Sequence, residues 1–297
     1  MPAIPVSFNE EENPLHSPAS VSLPAQCVNL PFVNSKTAAQ SATRSRLLPG
    51  LKVSEGFIRH PFDLEFGVRT SGLIAGRNLR TGHRNDRHNT AYYGVAPSVF
   101  QSMIVRWRRS HPLAPIDAFT FIDLGAGMGR AVLLASELPF RAVLGVELNP
   151  TLARTARRNV AAWRVAGRAL APTKILCRDA LEFQLPPGPC VVFLFNPFGA
   201  PVLRRLAASW ARAFAARPGQ LDILYINDEQ RGQLDSQPGF ACLFRGPVRR
   251  SRADAITDRR ILTHQPDGEY AFAAFEDCSL HRWLGAAASS PAAPRKN

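Results

Sequence analysis

The chain has few cysteines and no long hydrophobic run. Its 297 residues include five cysteines, which are dispersed and form no Cys-x-x-Cys pair: Cys27, Cys177, Cys190, Cys242 and Cys278. An odd, scattered set predicts a reducing, cytoplasmic environment and argues against a metal site. No apolar run approaches the length of a membrane span, and no lysine or arginine precedes Lys36. We therefore expect neither a membrane-spanning helix nor a secretory signal.

Acidic residues and lysines are also scarce. The chain has 36 Lys and Arg residues against 23 Asp and Glu residues, which gives a net charge of +13. This excess favours a polyanionic partner such as nucleic acid or a membrane surface. However, only four of the basic residues are lysines, and the aromatic residues are not interleaved with the arginines as base-stacking residues would be. Nucleic acid stays an alternative that we do not favour, because a compositional bias toward arginine explains the charge equally well.

The sequence divides into two terminal segments without periodicity and a patterned middle. Residues 1–50 are rich in Pro, Ser, Ala and Asn, residues 285–297 in Ala, Ser and Pro, and both compositions predict disorder. The aromatic and basic residues 51–95 predict an N-terminal extension or lid. Residues 96–284 hold the alternating strand and helix patterns of one α/β domain. The hydrophobic share of the whole chain, 45%, is enough for a sizeable core.

The most informative stretch spans residues 119–150. A short apolar run ends in Asp123, and three glycines follow at alternate positions before the apolar residues change to helical spacing: Gly125, Gly127 and Gly129. A second apolar run, Ala142 to Val146, ends in Glu147. These patterns predict a strand, a tight turn, a helix and a second strand, with an acid at the end of each strand.

The glycines indicate a ligand that lies on the turn. A turn from a strand directly into a helix needs backbone angles that side chains disfavour, and a ligand on that turn needs the Cβ atoms absent. Glu147 stands where a carboxylate can accept both hydroxyls of a ribose. The spacing matches neither the dinucleotide pattern, since the third glycine comes one place early, nor the phosphate loop, since no Lys-Ser/Thr follows. A tight connection without a ligand is the simpler alternative.

The run from Asp123 to Gly129 resembles the first motif of class I S-adenosylmethionine-dependent methyltransferases, Asp-x-Gly-x-Gly-x-Gly. The resemblance implies S-adenosylmethionine as the cofactor. It implies that Asp123 helps to hold the methionine amino group, that Glu147 binds the ribose, and that Asp179, just past the third predicted strand, accepts a bond from the adenine amino group. The remaining residues assigned to the cofactor are Gly125, Gly127, Gly129 and Asn196.

The extension carries the resemblance further. Residues 62–72, FDLEFGVRTSG, followed by Tyr-Gly and Pro-Ser shortly before the glycine turn, are similar to the leader of a group of bacterial proteins with a class I methyltransferase domain. The position of this segment before the domain suits a lid over the carboxyl ends of the strands.

The fourth predicted strand, Val191 to Phe195, ends in Asn196-Pro197-Phe198-Gly199. Amino-methylating members of the superfamily end this strand in Asn/Asp-Pro-Pro-aromatic, where polar groups accept bonds from the target amine and the aromatic ring stacks on it. One proline is missing here, so nitrogen and oxygen acceptors both stay open. Asn196 and Phe198 are nevertheless the acceptor-side catalytic candidates.

Tyr93 is the third catalytic candidate, because it directly precedes the first helix of the domain and could close over a ligand. Plain packing of its ring is an equal alternative. If the acceptor needs a base, the candidates are His88, Tyr93 and Asp228. Displacement at a sulfonium carbon needs orientation and a dry site rather than a nucleophile, which agrees with the lack of a Ser-His-Asp or Cys-His arrangement.

These features predict a Rossmann-like class I methyltransferase fold, with a seven-stranded, mostly parallel sheet, helices on both faces and an antiparallel last strand. We expect the sheet to close with a hairpin of Phe240 to Phe244 and Tyr270 to Phe275, and the arginine-rich residues 249–260 to lie at its far edge. The predicted function is methyl transfer to an unidentified small molecule, protein or RNA. The alternative is a non-enzymatic module that binds nucleic acid or protein on the same fold.

Overall fold

A computed structural model describes residues 58–264 and 272–286. The leader expected at residues 1–50 and most of the tail expected at 285–297 lie outside these residues, so those two predictions are not addressed below. Within the described ranges, the helices are all too short or too polar to cross a membrane.

A seven-stranded sheet with the order β3-β2-β1-β4-β5-β7-β6 forms the centre of the molecule. Strands β1 to β5 pair in parallel, and β7 is antiparallel to both β5 and β6. The predicted fold class is confirmed, including the antiparallel last strand. The strands are β1 Thr120–Leu124, β2 Ala142–Glu147, β3 Thr173–Cys177, β4 Cys190–Phe195, β5 Leu221–Ile226, β6 Phe240–Arg249 and β7 Phe275–Trp283.

Helices cover both faces of the sheet. Apolar residues of α2, α3 and α4, such as Met103, Val132 and Trp163, pack on one face, while Leu206 of α5 and Leu234 of α6 pack on the other. The helices are α1 Pro61–Phe66, α2 Pro97–Arg109, α3 Arg130–Ser136, α4 Pro150–Val165, α5 Ala200–Ala213, α6 Gly232–Asp235 and α7 Arg252–His264.

The central strands explain where a ligand can bind. Every residue of β1 and β5 is buried, as expected for parallel strands that are covered on both faces. From β1 the chain continues to β2 on one side of the sheet and later returns to β4 on the other side. Such a reversal of strand order leaves a crevice at the carboxyl ends of β1 and β4, where open α/β sheets bind their ligands.

The carboxyl-terminal part of the sheet differs from the prediction. β6 runs from Phe240 to Arg249 and pairs with Phe275–Trp283, whereas Tyr270 lies outside the described residues. The segment between the two strands contains α7, which does not stay at the far edge: Ile261 and Leu262 pack against Tyr93 of the extension. The sequence of α7 gives little sign of this packing, because its few apolar residues are separated by charged ones.

Candidate cofactor and acceptor site

The turn after β1 requires its glycines for two reasons. Gly125, Gly127 and Gly129 have φ values of 78°, 54° and 89°, in the left-handed region that side chains disfavour. Space is also lacking, since a Cβ atom on Gly125 would lie 2.4 Å from Pro197 Cβ, and one on Gly127 would lie 2.1 Å from Tyr92 Cε2. The extension therefore packs directly on the glycine turn through the Tyr92 ring.

Two buried carboxylates flank this turn. Glu147 Oε2 accepts a bond from the Gly127 amide at 2.7 Å and Glu147 Oε1 one from the Asn149 amide at 2.8 Å. Asp123 is only 3% exposed, and within the described ranges its carboxyl has no hydrogen-bond partner. Burial raises the pKa of both carboxyls, and the charge of Glu147 raises the pKa of Asp123 further.

A cavity lies at the carboxyl ends of β1, β2 and β4. Its lining includes residues that the sequence places far apart: Asp123, Gly125, Gly127, Glu147, Asp179 and Phe198. We call this space the first cavity. The predicted cofactor residues thus line one cavity, with the exception of Gly129, which precedes α3 as its N-cap, and of Asn196.

The extension forms the roof of the first cavity. Asn85 Nδ2 donates to Asp179 Oδ2 at 2.5 Å, the Gly199 amide donates to the His88 carbonyl at 2.9 Å, and Asn149 Nδ2 donates to the Leu79 carbonyl at 3.1 Å. These bonds tie the extension to the segments that follow β3, β4 and β2. One oxygen of Asp179 is consequently engaged by the roof itself.

The turn after β4 separates two of the acceptor candidates. Phe198 lines the first cavity, whereas Asn196 lines a second one. Asn196 has a φ of 40°, its side-chain oxygen accepts a bond from the Tyr225 hydroxyl at 3.4 Å, and its carbonyl accepts one from the Thr90 hydroxyl at 2.5 Å. A carbonyl that could receive an acceptor amine is therefore occupied by the extension.

The third candidate, Tyr93, connects the extension to α7. Its ring lines both cavities, and its hydroxyl donates to Asp258 Oδ1 at 2.7 Å. Asp258 also pairs with Arg250, at 3.0 Å. Burial and the Asp258 carboxylate both raise the pKa of Tyr93, so the hydroxyl is held as a donor rather than prepared as a base.

The strand order and the strand-end residues together decide the fold family. Strand β7 is inserted antiparallel between β5 and β6, a glycine turn follows β1, and an acid ends β2. The chain has the class I methyltransferase fold. The resemblance found in the sequence is thereby confirmed at the level of the fold.

Comparison with known proteins adds little beyond the fold. No protein-family model matches the chain, and no curated protein matches it. Among solved structures, an RNA methyltransferase from Salinibacter ruber in complex with S-adenosyl-L-homocysteine is 16% identical, with 67% of this chain and 94% of that chain covered and a TM-score of 0.36. The (4+2)-cyclase SpnF is 14% identical, with 63% and 81% covered and a TM-score of 0.44. Similarities this distant carry no argument about function.

The second cavity of this methyltransferase fold contains residues that the sequence analysis missed. Thr90, Asn227 and Glu229 line it together with Asn196 and Tyr93. Asn227 directly follows β5 with a φ of 49°, much as Asn196 directly follows β4, and Asn is one of the residues that tolerates this region. The sequence did contain one signal for this cavity, which is an Asn directly after each of two adjacent strands. Of the other base candidates, neither His88 nor Asp228 is among the residues found to line either cavity.

The two cavities differ in free volume, which is about 90 Å³ in the first and about 250 Å³ in the second. They share part of their walls through Thr90, Ala91, Tyr93 and Phe195. The two spaces are therefore neighbours.

Proposed function

We propose that the protein is an S-adenosylmethionine-dependent methyltransferase whose cofactor binds in the first cavity and whose acceptor enters the second. The observation that carries this proposal is the carboxyl of Asp123, which is 3% exposed, lines the first cavity beside the glycine turn and has a pKa raised mainly by burial. A buried acid without a partner is costly. The ammonium group of the methionine part of the cofactor would compensate it, which gives Asp123 its role.

The other residues of the first cavity fit the remainder of the cofactor. Two backbone amides hold the Glu147 carboxylate, so its remaining lone pairs have a fixed direction in which to accept the ribose hydroxyls. We assign Asp179 to the adenine amino group, through Oδ1, which Asn85 does not bond. This oxygen accepts a bond from the Leu181 amide at 2.9 Å and keeps a second lone pair. Pro197 and Tyr92 occupy the space beside Gly125 and Gly127, so we assign the three glycines to the shape of the turn that places Asp123 and Glu147, rather than to direct contact with the cofactor. Asn196 lines the other cavity, and we place it on the acceptor side.

The bound cofactor supplies a methyl group on a sulfonium centre that is ready for in-line displacement. The protein's own contribution is orientation and exclusion of water. Thr90, Tyr93 and Phe195, which line both cavities, form the passage through which the methyl group would move. Closing this passage under the extension keeps water away from the reacting atoms.

The second cavity suits an acceptor that carries N–H or O–H groups. Its lining offers the Glu229 carboxylate and the side-chain amides of Asn196 and Asn227, which accept hydrogen bonds from such groups. Glu229, rather than Asp228, is the residue that we propose to take a proton from the acceptor. Whether the acceptor atom is nitrogen or oxygen depends on which of these three side chains the acceptor contacts.

Isothermal titration of S-adenosylmethionine into the purified protein tests the cofactor site. We expect Glu147→Gln to weaken binding by about 10- to 100-fold, the effect of losing charge-assisted hydrogen bonds of roughly 1.5–3 kcal/mol. The matched control is Glu182→Gln, since Glu182 is exposed and lines neither cavity. Equal affinity of the two variants would remove the ribose assignment, and failure of the unaltered protein to bind would remove the proposed cofactor.

A further inference from the structure

His281 is a buried histidine whose ring nitrogens have no hydrogen-bond partner among the described residues. The residue lies on β7 and has 0% exposure. A neutral imidazole carries one donor and one acceptor, and leaving such groups buried and unpaired is unfavourable because each loses its hydrogen bonds to water. Buried groups of this kind call for an unseen partner.

Two potential metal ligands stand next to this histidine. Cys242 on β6 is the residue directly opposite His281 in the antiparallel pair, and Asp235 is the last residue of α6. His281 Nδ1 lies 3.9 Å from Asp235 Oδ1. One ligand atom from each of the three side chains falls within 4.8 Å of the others.

We propose that Asp235, Cys242 and His281 bind a divalent transition-metal ion, and that this ion is Zn²⁺. A thiolate, an imidazole and a carboxylate form the mixed ligand set that zinc accepts in tetrahedral geometry, with water in the fourth position. Zinc-to-ligand distances of about 2.0–2.3 Å place tetrahedral ligands about 3.4 Å apart. The three side chains therefore need to converge by roughly 1 Å, which rotation of the exposed Cys242 and Asp235 side chains can provide.

The charges around His281 are compatible with this ion. Arg245 Nη2 donates to both carboxylate oxygens of Asp235, at 2.6 and 2.5 Å, which leaves further lone pairs on both oxygens. Arg245 thereby holds the carboxylate in place, as outer-shell partners of metal ligands do. Its positive charge opposes the metal, but the Asp235 carboxylate and the nearby Asp228 carboxylate offset it. Burial raises the pKa of the Cys242 thiol, so the metal would have to displace the thiol proton on binding.

The site is distinct from the proposed methyltransferase site. None of the three ligands is among the residues that line the two cavities, so the ion would cross-link β6, β7 and α6 rather than take part in methyl transfer. The ligands come from three elements and include no Cys-x-x-Cys pair, which is why cysteine spacing argued against a metal.

Metal binding to the full-length protein tests the proposal without any assay of activity. We would titrate Co²⁺ as a spectroscopic substitute for Zn²⁺, and measure the zinc content by mass spectrometry after desalting. We expect one equivalent of metal and a near-ultraviolet charge-transfer band from thiolate to cobalt. Cys242→Ser should abolish the band and weaken binding by at least about tenfold, the lower end of what outer-shell losses alone cost. The matched control, Cys177→Ser, changes an exposed cysteine at the opposite edge of the sheet. This variant should keep both the charge-transfer band and the affinity for the metal.

A second variant keeps the proposal falsifiable if Cys242→Ser misfolds. Asp235→Asn removes the third ligand from a partly exposed helix end and should also weaken Co²⁺ binding, while the thiolate band remains at saturating metal. Less than a tenth of an equivalent of metal in the unaltered protein, or a band that survives in Cys242→Ser, would overturn the assignment. Because no cofactor takes part, this result is independent of the titration with S-adenosylmethionine.

Discussion

At the scale of single residues, the candidate site contains a carboxyl, that of Asp123, which lowers the stability of the fold but suits the binding of a cationic ligand. Asp123 has a buried carboxyl whose pKa is raised by burial and by the charge of Glu147. A folded-state pKa above the unfolded value means that the folded protein binds the proton more tightly. Stability is then lost as the pH rises above the ordinary aspartate range. Residues that destabilise a fold in this way are typical of binding sites.

Asp123→Asn should therefore stabilise the protein without ligand and weaken its binding of S-adenosylmethionine. We expect a gain of about 1–3 kcal/mol in the free energy of unfolding at neutral pH, since the amide avoids the burial of an unpaired charge. The gain should shrink as the pH falls, and it should level off below the ordinary pKa of aspartate, where the Asp123 carboxyl is protonated in both the folded and the unfolded state. Denaturant unfolding at several pH values measures this dependence.

The same variant, tested with a second ligand, distinguishes the role of Asp123 from that of Glu147. 5′-Methylthioadenosine contains the adenosine part of the cofactor but no amino-acid part. Asp123→Asn should weaken S-adenosylmethionine alone, whereas Glu147→Gln should weaken both ligands, because only Glu147 is assigned to the ribose. If Asp123→Asn reduced the affinity for both ligands equally in titration calorimetry, its assignment to the ammonium group would be wrong.

At the scale of secondary structure elements, the sequence predicts best where local pattern and burial agree. β1, β2 and β4 are runs of apolar residues that end in a polar residue or a glycine turn, and the predicted and observed ends differ by at most two residues. Their order in the sheet followed from the resemblance to the methyltransferases. Sequence alone therefore located the strand ends where Asp123 and Glu147 lie.

The extension and α7 could not be predicted in the same way, because their positions depend on contacts distant in sequence. The bond from Asn85 to Asp179 spans 94 residues and the bond from Tyr93 to Asp258 spans 165. Neither pair has a local pattern. The role of Glu229 was missed for a related reason, since only the three-dimensional path after β5 decides which of three consecutive polar residues faces the cavity.

The bond between Tyr93 and Asp258 leads to a prediction about how the two covering elements are joined. Tyr93→Phe should lower the free energy of unfolding by about 1–3 kcal/mol, because Asp258 loses one of its partners in a buried site. Affinity for S-adenosylmethionine should change less than about twofold, since the ring that lines the cavities is kept. Denaturant unfolding and titration calorimetry measure the two quantities.

Tyr225→Phe is the matched control for this change. Tyr225 is similarly buried, but its hydroxyl makes only long bonds. It donates to Asn196 at 3.4 Å and accepts from the Gln230 amide at 3.3 Å, so its loss should cost less. Equal stability of Tyr93→Phe and the unaltered protein would show that the hydroxyl does not join the extension to α7. A hydroxyl poised for catalysis would then again be a reasonable interpretation of Tyr93.

At the scale of the whole molecule, the net charge of +13 is unevenly placed. Residues 150–178, which form α4 and β3, contain seven basic residues and no acidic one: Arg154, Arg157, Arg158, Arg164, Arg168, Lys174 and Arg178. Residues 77–87 of the roof beside them add four arginines, Arg77, Arg80, Arg84 and Arg87, and one acid, Asp86. The roof is tied to the start of α4 through Asn149 and to the turn after β3 through Asp179. A positive surface of this extent next to the first cavity attracts polyanions.

Charge reversal at two positions tests whether polyanion binding depends on this surface or only on the net charge of the protein. Arg154→Glu with Arg158→Glu should weaken binding of a labelled single-stranded RNA, measured by fluorescence anisotropy, and reduce the dependence of the binding constant on salt. The control is Arg204→Glu with Arg205→Glu on the exposed side of α5, which alters the net charge by the same amount on the other face of the sheet. Equal losses in the two double variants would mean that RNA responds to net charge alone, as a compositional bias toward arginine predicts. A larger loss in the α4 variant would place the polyanion beside the proposed cofactor cavity and make RNA the first acceptor to test.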